Sequence, residues 1–325
     1  MSDPRLLELS QLPLHQRAAR IVELFNEGLD DQPAPSRAER RATRRASLSE
    51  KPLRRFRRGV QALSHWLTPA RLGLLSAALG RLAADALCGD IRRNPSRALA
   101  APDGFCGRAP SLAAKDLIDS FARGMAPRAF LGMTVLVSPA QRLMLRPWNF
   151  PRGVGEGRSE AERVSLDVCF DRALALCAER ADFMHAPRTD LALGDLYDDG
   201  FAHSLEVWDR NDRLIGALVG VASGGVFCIE RVWAEDEEAL ARGVNNLAFQ
   251  LQRWNFSALD FTAAPELAAR LGCGRISRAA YLAELANAAC SGRHGGWRID
   301  ADLRRPARAA APAALKILTR AQSAA

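Results

Sequence analysis

Three β-prone segments that follow one another in the second half of the chain constrain its fold more than any other feature. Residues 203–208 alternate between polar and apolar side chains, residues 214–222 form an apolar run, and residues 226–233 are mostly apolar. The turn-forming residues 209–212 and 223–225 separate them. Because consecutive strands joined by short turns pair with one another, this region predicts an antiparallel meander.

An amphipathic helix and a further strand follow the meander. Residues 237–254 carry apolar side chains at helical spacing, and residues 258–262 have the composition of a strand. A helix between two strands of one sheet is typical of a crossover, so we expect the last strand to be parallel to a neighbour. Two short helices, at residues 265–271 and 278–285, follow. The predicted fold class is therefore α/β (α+β), a mixed sheet with an antiparallel meander and flanking helices.

An arginine-rich segment precedes this domain. Residues 33–58 contain few aliphatic side chains and many basic ones, so we predict a mobile arm that cannot bury a core. The arm resembles nucleic-acid-binding tails, and a solvated linker is the alternative interpretation. The RNA-binding residues predicted in the arm are Arg40, Arg41, Arg44, Arg45, Arg54, Arg55, Arg57 and Arg58.

The order of predicted helices, strands and charged segments divides the chain into four parts. Residues 1–62 hold short helices and the arm, and residues 63–160 form a helical and small N-terminal lobe. Residues 161–290 form the main domain, and residues 291–325 form a tail rich in Ala and Arg for which we expect weak order. In the second part a helix is expected to begin after Thr68, whose hydroxyl can cap it.

Composition narrows the functional classes. The seven cysteines are scattered and never form a Cys-x-x-Cys pair, so neither zinc nor a disulfide framework is indicated. The net charge of +8 comes almost entirely from arginine and suits a polyanionic partner, although a compositional bias toward arginine is the alternative. We expect no metal, no cofactor and no membrane partner. The absence of an apolar secretion signal predicts a cytoplasmic protein.

The main domain resembles the leucyl/phenylalanyl-tRNA-protein transferases. The resemblance is carried by residues 201–208, 214–222 and 226–230, followed by Leu259-Asp260 and Leu271-Gly272, in the family's order and spacing. Weaker agreement extends upstream and downstream, including Ser138-Pro139, Arg142 and residues 276–278. About half of the chain is covered.

The resemblance implies a two-lobed fold related to the acetyltransferases. It also implies that leucine or phenylalanine passes from an aminoacyl-tRNA to the α-amine of a protein beginning with Arg or Lys, an N-end-rule mark for protein degradation. The family's catalytic Asp and Glu correspond to Asp260 and Glu230. Asp260 would orient or deprotonate the amine, and Glu230 would contact the acceptor's cation or shape the acyl pocket.

Such a reaction requires few reactive side chains. An aminoacyl ester is already activated, so aminolysis needs no metal and no covalent nucleophile. It needs a positioned amine, an acceptor for its proton and donors for the developing oxyanion.

Several positions depart from the family. Leu136 and Val137 stand where the family carries paired tryptophans, Thr262 stands in place of a glutamine, and Met184 occupies an aromatic position. The predicted substrate-binding residues are Thr262, Phe227, Trp233, Met184, Leu136 and Val137.

Two other functional classes compete with a transferase. A catalytically inactive relative would bind RNA or a degron-bearing protein. An acetyl-CoA enzyme would need a glycine-rich pyrophosphate loop, but residues 234–238 contain four acids and no glycine. His203 and Cys228 are more typical of core residues than of a catalytic base or nucleophile.

Overall fold

The computed structural model divides the chain into two compact units, Met1–Thr43 and Arg44–Ala325. The helices predicted within residues 6–29 and the tail beyond residue 300 lie outside the residues that the structure describes. The described residues are 35–88, 94–99, 104–150, 163–180, 184–185, 187–288 and 295–300.

The described residues form nine α-helices and ten strands. The helices are α1 (Arg37–Ser47), α2 (Pro52–Trp66), α3 (Pro69–Cys88), α4 (Ala114–Ala122), α5 (Phe170–Arg180), α6 (Pro187–Asp198), α7 (Glu237–Arg253), α8 (Pro265–Arg270) and α9 (Arg278–Ala288). The strands are β1 (Phe105–Arg108), β2 (Ala126–Phe130), β3 (Met133–Val137), β4 (Gln141–Leu145), β5 (Arg163–Leu166), β6 (Ala202–Trp208), β7 (Leu214–Ser223), β8 (Val226–Ala234), β9 (Ala258–Asp260) and β10 (Gly274–Ser277).

Seven strands form the large sheet, in the order β10-β4-β9-β8-β7-β6-β5. Strands β6, β7 and β8 are the predicted antiparallel meander, and among the described strands of this sheet only β8 and β9 pair in parallel. Both predictions are confirmed, as is the mixed α/β class. The remaining strands β1, β3 and β2 make a separate three-stranded antiparallel sheet.

Helix α7 crosses one face of the large sheet and connects β8 to β9. It begins where the Asp236 carboxylate accepts a hydrogen bond from the Ala239 backbone N–H at 2.9 Å. Its apolar side is buried with Leu205, Val207 and Phe227 of the sheet. Gly243 allows this approach, because a Cβ added there would lie 2.5 Å from a Val207 methyl carbon.

The opposite face of the large sheet is covered by α5, α6 and α9. Val226 and Cys228 of β8 belong to this second core, whereas Phe227 and Ile229, which alternate with them, belong to the first. The alternation follows from the two-residue period of a strand, so both faces of β8 are buried.

In the second unit, α2 and α3 pack on the three-stranded sheet. Trp66 makes an edge-to-face contact with Phe130, with ring centroids 4.9 Å apart, and Val135 and Val137 lie in the same cluster.

The four-part division predicted from the sequence stays a prediction. No helix among the described residues is long and apolar enough to cross a membrane.

The prediction of a mobile arm is wrong over the described part of residues 33–58, which forms α1 and most of α2. Arginine and alanine are good helix formers, so a segment poor in aliphatic residues can still be helical. Helix α1 begins with a capping box. The Ser36 backbone N–H donates to the Glu39 carboxylate at 2.7 Å, and the Glu39 backbone N–H donates to the Ser36 hydroxyl oxygen at 3.2 Å. The hydrogen bond that the Ser36 backbone N–H donates to the Glu39 carboxylate lowers the pKa of Glu39.

The expectation of weak order in the tail is also wrong for residues 295–300. Trp297 is buried in the core of the second unit and stacks on His203, with ring centroids 3.8 Å apart. Its backbone N–H donates to Asp167 at 2.8 Å, and Asp167 also contacts His203 at 2.8 Å. His203 is therefore a core residue, as its alternating strand position indicated.

Candidate active site

Asp260 and Glu230 lie on adjacent parallel strands. The register of β8 and β9 places Cys228 beside Asp260, and Glu230 follows two positions later. Val219 pairs with Arg231 and Gly220 with Ile229, so Glu230 is the extra residue of a β-bulge. A bulge changes the direction in which side chains point. Here Glu230 contacts Arg128 of β2, and Arg231 contacts Asp190 of α6.

Gly220 explains how the strands tolerate this bulge. A Cβ at Gly220 would lie 2.6 Å from the Phe227 ring and 2.7 Å from the Cys228 carbonyl oxygen. Any larger residue would force the strands apart, so the local sequence permits the geometry that aims Glu230.

The Asp260 carboxylate is fully engaged at the end of β9. Arg142 of β4 donates to one oxygen at 3.0 Å, while the backbone N–H of Thr262 donates to the other at 2.9 Å. The Thr262 hydroxyl also donates to Asp260 and accepts from the Leu143 backbone at 3.0 Å. Asp260 is 3% exposed, so it holds the start of the loop after β9 in place.

Arg142 is fixed by its other contacts. It donates to the Gly124 carbonyl oxygen at 2.6 Å, and its guanidinium lies 4.3 Å from the centre of the Tyr281 ring. Burial opposes its charged form, but the neighbouring Tyr281 and Asp260 outweigh burial and raise the pKa of Arg142. The guanidinium therefore stays charged.

Tyr281 and Cys228 complete the group of buried side chains around Asp260 and Arg142. The Tyr281 hydroxyl and the Cys228 sulfur lie 3.3 Å apart in a hydrogen bond. Burial raises the pKa of Tyr281 well above its ordinary value and raises the pKa of Cys228 as well. Neither group ionises near neutral pH, so Cys228 is not a thiolate nucleophile.

Glu230 is held by two arginines. Arg128 of β2 contacts its two oxygens at 2.6 and 3.5 Å, and Arg231 lies 3.7 Å away. Arg231 in turn pairs with Asp190 at 2.7 Å and donates to Thr189 at 3.1 Å. The bulge thus places Glu230 inside a buried network of alternating charges.

A cavity of about 400 Å³ opens beside Glu230. Its volume is within the range of small-molecule sites, roughly 300–1,000 Å³. Its walls come from the end of β8, from α5, and from the segment after β9 that leads into α8. The charged and aromatic side chains that line it are Arg180, His185, Glu230, Arg231, Trp233, Glu237, Glu266 and Arg270.

The structure brings only some of the predicted site residues to this cavity. Of these, the predicted catalytic Glu230 and the predicted substrate-binding Trp233 line it. Thr262 directly precedes the lining residue Ala263, and Met184 directly precedes the lining residue His185. Asp260 lies behind the wall rather than in it.

Three predicted substrate-binding residues lie elsewhere. Phe227 points to the opposite face of the sheet, where its ring centroid is 5.0 Å from that of Trp297. Leu136 and Val137 are buried in the cores of the three-stranded sheet. These three residues do not line this cavity, because each fills a hydrophobic core, and their role in substrate binding stays a prediction.

Sequence reasoning missed Arg128, Tyr281 and Arg180 as parts of the site. Arg128 lies on β2, outside the residues on which the resemblance was based, so no sequence signal identified it. Tyr281 and Arg180 belong to helices whose sequences show no site motif. Only the folded sheet brings these residues together.

The predicted RNA-binding arginines separate by burial. Arg44 is 2% exposed, and it contacts Asp171 and pairs with Asp198 at 2.7 Å. Arg44 is therefore structural, and its prediction as an RNA contact is wrong, because its guanidinium fills a carboxylate-lined site in the second unit. Arg58 is half-buried and pairs with Glu50 at 2.8 Å.

The other predicted arginines keep more solvent exposure. Arg54 and Arg57 are exposed on α2. In the first unit, Arg40 donates to the Pro35 carbonyl oxygen at 2.6 Å. RNA binding by these residues and by the exposed Arg41, Arg45 and Arg55 stays a prediction.

The described residues contain no group of three His, Cys, Asp or Glu side chains placed to hold a metal ion.

Comparison with known proteins gives a consistent result. The profile described as leucyl/phenylalanyl-tRNA protein transferase matches residues 155–286. A leucyl/phenylalanyl-tRNA–protein transferase of Alkalilimnicola ehrlichii is 32% identical over 216 residues, which cover 64% of this chain and 84% of that protein. One from an Anaeromyxobacter species is 32% identical over 64% of this chain and 92% of that protein. One from Pseudomonas fluorescens is 29% identical over 62% and 92%.

Proposed function

Because the chain belongs to the leucyl/phenylalanyl-tRNA protein transferase family, we propose that it transfers leucine, phenylalanine or a similar amino acid from aminoacyl-tRNA to the N-terminal amine of an acceptor protein. The protein is then an aminoacyltransferase. Its two substrates are an aminoacyl-tRNA and a protein.

The reaction is an aminolysis. The acceptor's α-amine nitrogen attacks the ester carbonyl carbon, a C–N bond forms, and the C–O bond to the ribose breaks. The amine loses a proton and the ribose oxygen gains one, so no external reactant is needed. Positioning of the two reactants supplies most of the acceleration.

The observation that carries this proposal is the placement of Glu230. The bulge in β8 turns this carboxylate toward a cavity large enough for an aminoacyl group, at the end of the parallel strand pair. Ligands of open α/β sheets bind outside the carboxyl ends of strands, which is where this cavity lies. Glu230 is therefore the group that we assign to contact the amine.

Asp260 receives a different role. Both of its oxygens already accept hydrogen bonds from Arg142 and Thr262, and it lies behind the cavity wall. We assign it as a positioning residue that fixes the loop between β9 and α8. That loop supplies Ala263 and Ala264 to the cavity and leads into α8, which carries Glu266.

We assign an acceptor that begins with Arg or Lys. Three carboxylates line the cavity: Glu230, Glu237 and Glu266. Glu237 contacts Arg270, whereas Glu266 makes no ion pair with any described residue. An exposed carboxylate at the mouth of the cavity favours a basic side chain on the acceptor.

A binding module without turnover is the second candidate. Glu230 and Asp260 both sit in buried ion pairs, an arrangement that also suits a purely structural role. Such a protein would bind tRNA or a basic N-terminus and release both unchanged.

One assay separates the two candidates. Purified protein is incubated with leucyl-tRNA or phenylalanyl-tRNA and a peptide beginning with arginine, and the peptide mass is measured. We expect the mass to increase by one aminoacyl residue, and an N-acetylated copy of the peptide to stay unchanged. Tight tRNA binding without any mass increase would favour the binding module.

A further inference from the structure

A second, larger depression lies between α2, α5 and the start of α6, and its volume is about 1,230 Å³. We call it the basic groove and define it by Lys51, Arg54, Arg57, Arg71 and Arg180, which line it together with His65 and His185. Its acidic lining residues are Glu50, Glu179 and Asp190. Positive charge therefore exceeds negative charge on its walls.

Two of the three acids in the groove are already neutralised. Glu50 pairs with Arg58 at 2.8 Å, and Asp190 pairs with the buried Arg231 at 2.7 Å. By contrast, Lys51, Arg54 and Arg57 form no ion pair with any residue in the described parts of the chain. The groove thus presents cations whose charge is not satisfied within the protein.

These cations lie along one face of a helix. Arg54, Arg57, Gln61 and Ser64 are separated by three or four residues, so they lie on the same side of α2. From Arg54 to Ser64 this face extends roughly 15 Å at about 1.5 Å per residue. A linear polyanion can contact it at more than one point.

The basic groove continues into the cavity beside Glu230. Arg180 and His185 line both spaces. Arg180 donates to the Ala234 carbonyl oxygen at the end of β8, and its guanidinium lies 5.7 Å from the Trp233 ring. A ligand chain that leaves the cavity past Arg180 therefore enters the groove.

We propose that the basic groove binds the sugar–phosphate backbone of the RNA strand whose end carries the aminoacyl ester. The inference rests on the proposed function and adds a phosphate-binding site to it. Arginine forks suit phosphate oxygens, and the continuity of groove and cavity places a polyanion where the ester must also lie. Helix α2, which forms one wall, lies outside residues 155–286 of the family match, so this site belongs to a different part of the chain.

The first test measures RNA binding without catalysis. Arg54→Gln combined with Arg57→Gln removes two groove cations, and a control carries Arg210→Gln with Arg275→Gln, two exposed arginines outside the groove. Affinity for fluorescently labelled uncharged tRNA is measured over a salt series. Since each phosphate contact to a single strand contributes about 0.7 to the slope of log affinity against log salt, the groove variant should lose roughly 1.4 from that slope. The control should keep the wild-type slope.

The second test separates the groove from the reaction. An aminoacyl-adenosine ester carries the reactive group but no phosphate, so the groove variant should use it as well as the wild type does. With aminoacyl-tRNA the same variant should show a raised KM and an unchanged kcat. If the wild type turns over neither substrate, the proposed function fails, while the salt series still decides the groove.

Two results would overturn the groove assignment. One is an unchanged salt slope and an unchanged KM for aminoacyl-tRNA in the groove variant. The other is lost binding of an acidic peptide with tRNA binding retained, which would identify the groove as a site for an acidic protein segment.

Discussion

Two sets of basic side chains in the second unit differ in how their charge is satisfied. Arg128, Arg142 and Arg231 are buried, and each pairs with a carboxylate within 3.0 Å. Lys51 and Arg54 are exposed and pair with no described residue. A buried charge must be paired by the protein itself, so the first set maintains the shape of the site, whereas the second remains free for an outside anion.

Removing one member of a buried pair is the most severe test of this contrast. Arg142→Leu leaves the Asp260 carboxylate buried without its cation, and we expect a loss of about 3–5 kcal/mol in the free energy of unfolding. Chemical denaturation measures this value. A combined Arg142→Leu and Asp260→Leu variant should recover much of the loss, because no unpaired charge remains.

A loss below about 1 kcal/mol for Arg142→Leu, close to that of an ordinary surface substitution, would mean that Asp260 is not enclosed as described.

Substitution of Glu230 tests whether a carboxylate held in a buried ion pair also acts on the substrate. Glu230→Gln keeps the size of the side chain but removes the charge that would contact the amine, so we expect kcat to fall roughly 100-fold. Asp212→Asn, which removes an exposed carboxylate paired with Arg163 at 3.1 Å, serves as the control. Single-turnover kinetics with aminoacyl-tRNA measure the effect, and equal rates for Glu230→Gln and the wild type would leave Glu230 a structural role only.

Tyr281→Phe should have a smaller effect. The substitution deletes the hydrogen bond to Cys228 but keeps the ring under Arg142, so we expect a loss of about 1 kcal/mol in unfolding free energy. Tyr197→Phe is a matched control, since its hydroxyl makes a longer hydrogen bond of 3.4 Å to Asp167 at a half-buried position. A larger loss for Tyr197→Phe would contradict the cluster described around Asp260.

Arg54→Gln should change stability least. Its guanidinium has no partner in the described chain, so we expect a change within about 0.5 kcal/mol in thermal or chemical unfolding. A clear destabilisation would show that Arg54 is a structural residue like Arg44, and the contrast between the two sets would fail.

The regular part of the fold could be predicted because its signals are local. The strands β6, β7 and β8 and the helix α7 each carry their own hydrophobic period, and the structure matches the predicted bounds closely. The parallel pairing of β8 with β9 followed from the crossover helix. Periodicity and turn chemistry were sufficient for these elements.

The site could be predicted only in part, because its contacts join distant residues. Arg142 and Asp260 are 118 positions apart, and Arg128 and Glu230 are 102 apart. Ion pairs at such separations leave no periodic signal, and the bulge at Glu230 depends on a neighbouring strand. The helices within the predicted arm, residues 37–47 and the first part of α2, were missed because low aliphatic content was interpreted as an inability to form structure.

The position of Trp297 has a consequence for biosynthesis. Its indole lies inside the core against His203 and Phe227, yet the ribosome makes it after all of the sheet and the helices described above. During translation the nascent chain can form its meander early, but the space between His203 and Phe256 stays unfilled until this last tryptophan emerges.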